Sequence, residues 1–443
     1  MMKIRNMKNK LKVILICQFS NSEVRAHLPL GKRKIYSFIK KILGHGRGSY
    51  KYVDIASWNT NFINNLKFRD DVELTIVSSH TGMNKSQVHF EIDGVNYFFV
   101  NCDHAIMLKH IITNPKWWIK FNPMIPIVHG IVRKVEPDIV ALMGAENPHY
   151  SSTILGLEKD YPCIFKAQTI YNNPDRLKYD NFNKINAYVE KQVFKRLPYA
   201  SVSTRMHYLL YRKYRKDSYN FQWKFGMTFY PVDKTERKEF DFVNFAASVS
   251  EAKGYGDAIK ALSIVKKTHP YVKLNLVGDQ STGFYRQCLR LVEELGLEDN
   301  VIFTPSFELQ KEVFQHIQRA RFALLPYKLD FISSTTWQSM YYEMPVICYR
   351  TMGTPTINKD KECILIADMN NIEMLAEKMN CLLDDPIKAE ELRRNAKETV
   401  DAMNDGKKIA DEIVRNFRAI VDNYKNGTAI PKEYLLDFDN YEL

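Results

Sequence analysis

A chain of 443 residues exceeds the ~250–300 residues at which a single hydrophobic core stops growing, so two domains are expected. A composition of 45% hydrophobic and 26% charged residues excludes global disorder. With 63 Lys and Arg against 51 Asp and Glu, the net charge of +12 favours an anionic partner, and nucleic acid, acidic lipid headgroups and sugar phosphates all remain open.

The first apolar run, residues 12–17, is too short for a signal-peptide core and opens into the polar turn Phe19-Ser20-Asn21-Ser22-Glu23, the usual start of a parallel sheet. Lys32, Arg33, Lys34, Lys40, Lys41, Arg47 and Lys51 follow between Gly31 and Tyr52 with no acid among them. Helical spacing over 54–67 precedes a strand at 72–78, and Gly94-Val95 precedes another at 97–100. Trp117, Trp118, Lys120 and Phe121 mix rings with bases, as does the cluster Arg212, Lys213, Arg215 and Lys216 among Tyr208, Tyr211 and Tyr214. The basic cluster suits a solvated face and the Trp117 group a buried core edge, and both suit an anionic membrane surface.

A helix over 126–135 leads to a strand at 138–142 and the loop Met143-Gly144-Ala145-Glu146-Asn147-Pro148-His149. The strand 162–166 ends in Ala167-Gln168-Thr169. The polar stretch 225–238 reads as a linker. Beyond it the alternation repeats: strands at 243–247, 273–277, 301–303 and 322–325, helices at 257–267, 285–295 and 311–319. A last helix, 407–424, carries Ile409, Ile413, Phe417 and Ile420 at amphipathic spacing, and the tail beyond Asn426 is polar and acidic.

This pattern predicts an α/β fold of two Rossmann-like domains facing across a cleft, with functional loops beyond the carboxyl ends of the strands. The expected division is 1–224, 239–406 and a C-terminal segment 407–443 whose helix crosses back to the first domain. No stretch approaches the ~20 apolar residues of a membrane span; 124–132 is interrupted by Pro126, His129 and Gly130. Cys17, Cys102, Cys163, Cys288, Cys348, Cys363 and Cys381 form no close pair and read as reduced thiols of a cytoplasmic protein.

Three places in the second half join a strand end, small residues and charge. In Ser248-Val249-Ser250-Glu251-Ala252-Lys253-Gly254, a lysine on a loop opening a helix can neutralise a diphosphate, or stand solvated on the surface. In Leu276-Val277-Gly278-Asp279, the glycine lets a ligand approach the backbone, or is a plain turn residue. After Leu325-Pro326-Tyr327, the small residues Ser333, Ser334 and Thr335 precede a helix, where outward N–H groups bind anions or the hydroxyls merely cap.

Lys253-Gly254, Val277-Gly278, Asn300-Val301 and Pro345-Val346 carry a resemblance over 247 to about 400. The segment resembles the donor-binding half of the family-four retaining glycosyltransferases of GT-B fold. The first half is similar mainly in its strand Pro137-Asp138-Ile139-Val140 and its loop openings. Counted back from Pro345, the two glutamates of that family's motif fall on Asp330 and Gln338, and its arginine falls on Ser248. Gln338 can still bond a ribose hydroxyl but lacks the charge assistance, worth ~1–2 kcal/mol.

The resemblance implies transfer of a sugar from a nucleoside diphosphate sugar to an acceptor hydroxyl with retention, in polysaccharide or glycoconjugate assembly. Lys253 and the Ser333–Thr335 backbone would hold the diphosphate, Asp330 would orient the sugar and Gln338 the ribose, and Arg205 would reach the phosphate. Glu146, Asn147, His149 and Gln168 are the acceptor-side candidates, His149 being more often a surface residue in such a loop. No metal or other cofactor is implied: the one Asp-x-Asp pair, Asp437 and Asp439, lies in the tail. The expected partners are a nucleotide sugar and a glycan or lipid-linked acceptor, at the inner face of an anionic membrane if the basic aromatic segments dock there. The rival readings are a binding module that kept the fold and lost the chemistry, consistent with Ser248 and Gln338, and a sugar-nucleotide epimerase, for which only Glu146 and His149 offer acid/base groups. A nucleic-acid protein is disfavoured because the basic clusters lack a reading motif.

Overall fold

The computed structural model describes residues 10–31, 55–168, 170–174, 184–202, 204–223, 227, 229–233, 237–307, 309–329 and 332–436. The chain divides into two compact units, one of Met1–Arg176, Asn181–Met227 and Asp405–Leu443, the other of Leu177–Asp180 and Thr228–Asn404.

In the first unit the strands are β1 (Leu11–Cys17), β2 (Val72–His80), β3 (Gln87–Ile92), β4 (Val95–Asn101), β5 (Ile139–Met143), β6 (Cys163–Lys166), β7 (Tyr199–Ser201) and β8 (Tyr219–Phe221). Their order across the sheet is β3-β4-β2-β1-β5-β6-β7-β8. Alternate residues of β1 serve opposite faces: Ile14 and Ile16 pack with the helices Met124–Val135 and Lys184–Arg196, whereas Val13, Leu15 and Cys17 pack with Ser57–Leu66. The second face is completed by the last helix, Gly406–Asn426, through Ile409, Ile413, Phe417 and Ile420. Each such side chain contributes roughly 1.5–3 kcal/mol by leaving water, and Phe417 meets Trp223 edge-on at 5.2 Å.

Strand β3 is absent from the sequence expectation. It pairs antiparallel with β4 through a turn at Asp93 (φ 51°) and Gly94 (φ 75°), the two-residue left-handed connection typical of hairpins. Only alternate residues of β3 are partly covered, so its hydrophobic signal is weak. The cysteines form no disulfide; Cys17, Cys102, Cys163, Cys288, Cys348 and Cys363 are buried and Cys381 partly so.

The second unit holds β9 (Phe240–Ser248), β10 (Leu274–Asp279), β11 (Val301–Pro305), β12 (Ala320–Leu325), β13 (Val346–Tyr349) and β14 (Leu365–Ala367). Every pairing is parallel, in the order β11-β10-β9-β12-β13-β14. The order reverses between β9 and β12, so the loops leaving these two strands diverge and open a crevice at their carboxyl ends.

The stretch expected to be a linker is partly folded into this unit. Phe229 stacks on Tyr341 at 3.4 Å, the Tyr230 N–H donates to the Tyr342 hydroxyl at 3.0 Å, and the Asp233 N–H donates to Gln315 Oε1 at 3.0 Å. Phe229 and Tyr230, two of the three aromatic residues in the stretch, were the signal that it packs.

Candidate functional site

At the switch point of the second sheet, Ser248 ends β9 and pairs with Asp279 at the end of β10. The chain then makes one tight turn, Glu251–Lys253, closed by Gly254 at φ 65°. A Cβ on Gly254 would lie 2.1 Å from the Pro326 carbonyl oxygen, so both the left-handed backbone and the neighbour require glycine. The loop after β12 is thereby pressed onto the Lys253 turn. The Lys328 N–H donates to the Ala252 carbonyl at 2.9 Å, and Lys328 Nζ meets Asp257 Oδ2 at 3.0 Å, both side chains largely covered. The Tyr349 hydroxyl donates to the same Asp257 oxygen at 2.8 Å.

Lys253 itself is half-buried. Asn244 Nδ2 donates to its carbonyl at 3.1 Å, and its ammonium lies 4.4 Å from the centre of the Tyr327 ring. The ring carries its negative quadrupole towards the cation. Tyr327 is fixed in turn by its hydroxyl, which donates to the Phe245 carbonyl.

Ser333 is the N-cap of the helix Ser334–Tyr341, its Oγ accepting from the Thr335 N–H at 3.3 Å and lying 2.7 Å from Thr335 Oγ1. The capping role is therefore real, and it engages one of the amides expected to face an anion. Ser334 is exposed, and no hydrogen-bond partner is recorded for its N–H among the described residues. Gln338, one turn further along, is 7% exposed. Asp330 lies outside the described residues.

Gly278 lies near the end of β10. The atoms its missing Cβ makes room for are protein atoms: the Tyr255 hydroxyl at 2.9 Å, the Ala246 carbonyl at 3.0 Å and Val249 Cγ2 at 3.3 Å. Tyr255, fully buried, donates to the Val277 carbonyl at 2.6 Å. The glycine serves packing of the first helix under the strand ends. Asp279, beside it, accepts from the Ser281 N–H and hydroxyl, both at 2.9 Å.

In the first unit the order reverses between β1 and β5, and the loop after β5 carries Glu146, Asn147 and His149. Glu146 is 9% exposed and Asn147 half-buried, at the start of the short helix Pro148–Ser151. His149 is not a surface residue: it is buried, its ring edge-on to Tyr150 at 5.3 Å. Burial, and secondarily the nearby Lys109, push its imidazole down to about 3, so it is neutral at physiological pH. Its Nε2 is enclosed without a hydrogen-bond partner among the described residues. Gln168 is exposed at the end of β6. Arg205 opens the helix Arg205–Arg212, capped by Thr204, and is half-buried with its Nε enclosed.

Sequence reasoning missed Lys166 and Glu190, both fully covered. Lys166 Nζ, whose pKa burial lowers to about 7, donates to Ser201 Oγ at 3.2 Å and the Trp223 carbonyl at 3.3 Å. Glu190 accepts from the Tyr171 N–H at 2.7 Å and the Asn172 N–H at 2.8 Å, fixing the loop beyond β6. The one available signal was a lone base within a strand covered on both faces.

Residues 228–399 match the model of the family described as glycosyl transferases group 1. The second unit is similar to the group 1 glycosyl transferases. The family match spans nearly the whole of that unit, and the Lys253 turn and the helix after Ser333 both lie inside it. No curated protein sequence gives a significant match. Among solved structures, the sucrose-phosphate synthase of Thermosynechococcus elongatus superposes with a TM-score of 0.63 at 14% identity, covering 92% of this chain and 98% of that one. HepE of Anabaena, solved in complex with UDP and glucose, gives 0.61 at 13% identity over 93% of this chain and 100% of that one. The pneumococcal O-GlcNAc transferase GtfA, in complex with UDP and GlcNAc, gives 0.53 at 14% identity over 66% and 60%. At such identities the likeness is one of fold, and that fold is GT-B.

Proposed function

We propose that this glycosyltransferase moves a sugar from a nucleoside diphosphate sugar to an acceptor hydroxyl with retention at the anomeric carbon, in the assembly of a polysaccharide or glycoconjugate. The observation that carries the reading is the packing of the Lys253 turn against the loop after β12, the loop that leads to the Ser333-capped helix, within the segment similar to group 1 glycosyl transferases. A departing diphosphate needs fixed positive charge and oriented N–H donors more than a strong base. Lys253 supplies the first and the Ser334 end of the helix the second. Gln338 would hold the ribose, and Asp330 the transferred sugar. UDP in the HepE and GtfA structures supports a uridine nucleotide as donor.

Glu146, Asn147, His149 and Gln168 are proposed to meet the acceptor, and Arg205 to assist the phosphate. No metal is assigned a role. A second reading, a nucleotide-sugar-binding module without turnover, is favoured by Ser248 and Gln338 standing where the family places charged groups. Release of UDP from a panel of UDP-sugars, in the presence and absence of glycan acceptors, tests the two: nucleotide binding without release under any condition favours the module.

A further inference from the structure

We propose that the segment from Ile111 to Phe121 is the face on which the first unit docks onto an anionic bilayer. Its apolar side chains stand in water: Ile111 is 74% and Phe121 63% exposed. Trp117 lies between solvent and core, its ring 6.3 Å from that of Phe121 and 5.3 Å from that of the fully buried Trp118. Isolated exposed apolar residues are ordinary on a protein surface, but these flank the short helix Pro115–Trp118, with exposed Lys116 and Lys120 between them in the sequence. From His104 to Val135 the sequence holds Lys109, Lys116, Lys120, Arg133 and Lys134 and no acid. Rings and aliphatic groups that enter the headgroup boundary, beside the exposed bases Lys116 and Lys120, match the chemistry of acidic phospholipid and not of a neutral or basic surface.

The segment is also rigidly held. Asn114 caps the short helix Pro115–Trp118 by accepting from the Lys116 N–H at 3.0 Å, and the Trp118 indole donates to the Ile112 carbonyl at 3.4 Å. Asn122, directly after Phe121 and buried, donates through Nδ2 to the His149 carbonyl at 2.9 Å, to the Pro148 carbonyl at 3.2 Å and to Ser152 Oγ at 2.8 Å. A surface seated on lipid through Phe121 would thus carry the Glu146–His149 loop with it. Resting on the glycosyl-transfer reading, this places an acceptor with a lipid anchor, rather than a free glycan, at that loop.

The test is flotation of the full-length protein with phosphatidylcholine vesicles made with and without phosphatidylglycerol. The expected result is binding to the anionic vesicles alone, weakened by salt. Ile111→Ser with Phe121→Ser, and separately Lys116→Glu with Lys120→Glu, should each lower vesicle affinity on the order of tenfold while the melting temperature stays unchanged. No binding by the wild type, equal binding to both vesicle types, or binding undiminished in both variants would overturn the proposal, the last also if another basic segment or nucleic acid carries the affinity. Stabilisation by UDP, read on the same samples, tests the glycosyl-transfer reading separately, since it depends on the second unit.

Discussion

The ammonium of Lys253 rests 4.4 Å from the centre of the Tyr327 ring, which brings together the turn after β9 and the loop after β12. The aromatic ring holds the lysine at the switch point of the sheet, where a cation is placed to meet a phosphate. Tyr327→Leu removes the platform and leaves the Phe245 carbonyl without its donor; the donor KM should rise about three- to tenfold, alongside a stability loss of about 1–3 kcal/mol. Steady-state kinetics with the active UDP-sugar checks this.

Gly254 should tolerate no side chain. Gly254→Ala places a methyl against the Pro326 carbonyl at 2.1 Å on a φ of 65°, and the expected cost is about 2–4 kcal/mol of stability. Urea unfolding of the variant measures it.

The covered pair Lys328–Asp257 ties the same two loops. Asp257→Ala leaves a cation without its carboxylate and the Tyr349 hydroxyl without its acceptor, a loss of about 3 kcal/mol. The double variant Lys328→Met with Asp257→Leu should recover most of that loss, and a thermodynamic cycle on the unfolding free energies reads the difference.

His149 and His207 are both held neutral by burial, their pKa values pushed down to about 3 from 6.5. The unfolded chain binds these protons below about pH 6.5 and the folded chain does not, so stability is fully present above that pH and falls as the solution is acidified towards pH 3. Each histidine should contribute a slope of about 1.4 kcal/mol per pH unit in that window. Chemical unfolding of His149→Phe from about pH 6.5 to about pH 5 should show the slope reduced by close to one proton.

Gln338→Glu restores the charge that the family motif places there. In a position only 7% exposed, a carboxylate without its ligand is costly, so the free protein should melt lower. With UDP bound the gain should be ~1–2 kcal/mol relative to wild type, seen as a larger ligand-induced shift in melting temperature.

The alternation of strands and helices was legible because buried parallel strands are short apolar runs between amphipathic helices, and the last helix announced its face through Ile409, Ile413, Phe417 and Ile420. Less was legible where a residue's neighbours come from distant parts of the chain. Nothing local distinguishes Gly278, which accommodates Tyr255, from a glycine that accommodates a ligand. The burial of His149 depends on Tyr150 and on the Asn122 anchor, and a loop sequence rich in polar residues does not reveal it. The strand Gln87–Ile92 escaped because half its residues face solvent, although Asp93-Gly94 marks the hairpin. Asp330, proposed to meet the sugar, falls outside the described residues.

Calorimetric titration of UDP into the wild-type protein and Lys253→Ala tests the central claim most directly. The account predicts saturable binding at one site, weakened at least tenfold in the variant while its melting temperature without nucleotide is unchanged. Equal affinity in the two proteins, or no binding to either by UDP and the other nucleoside diphosphates, would contradict it.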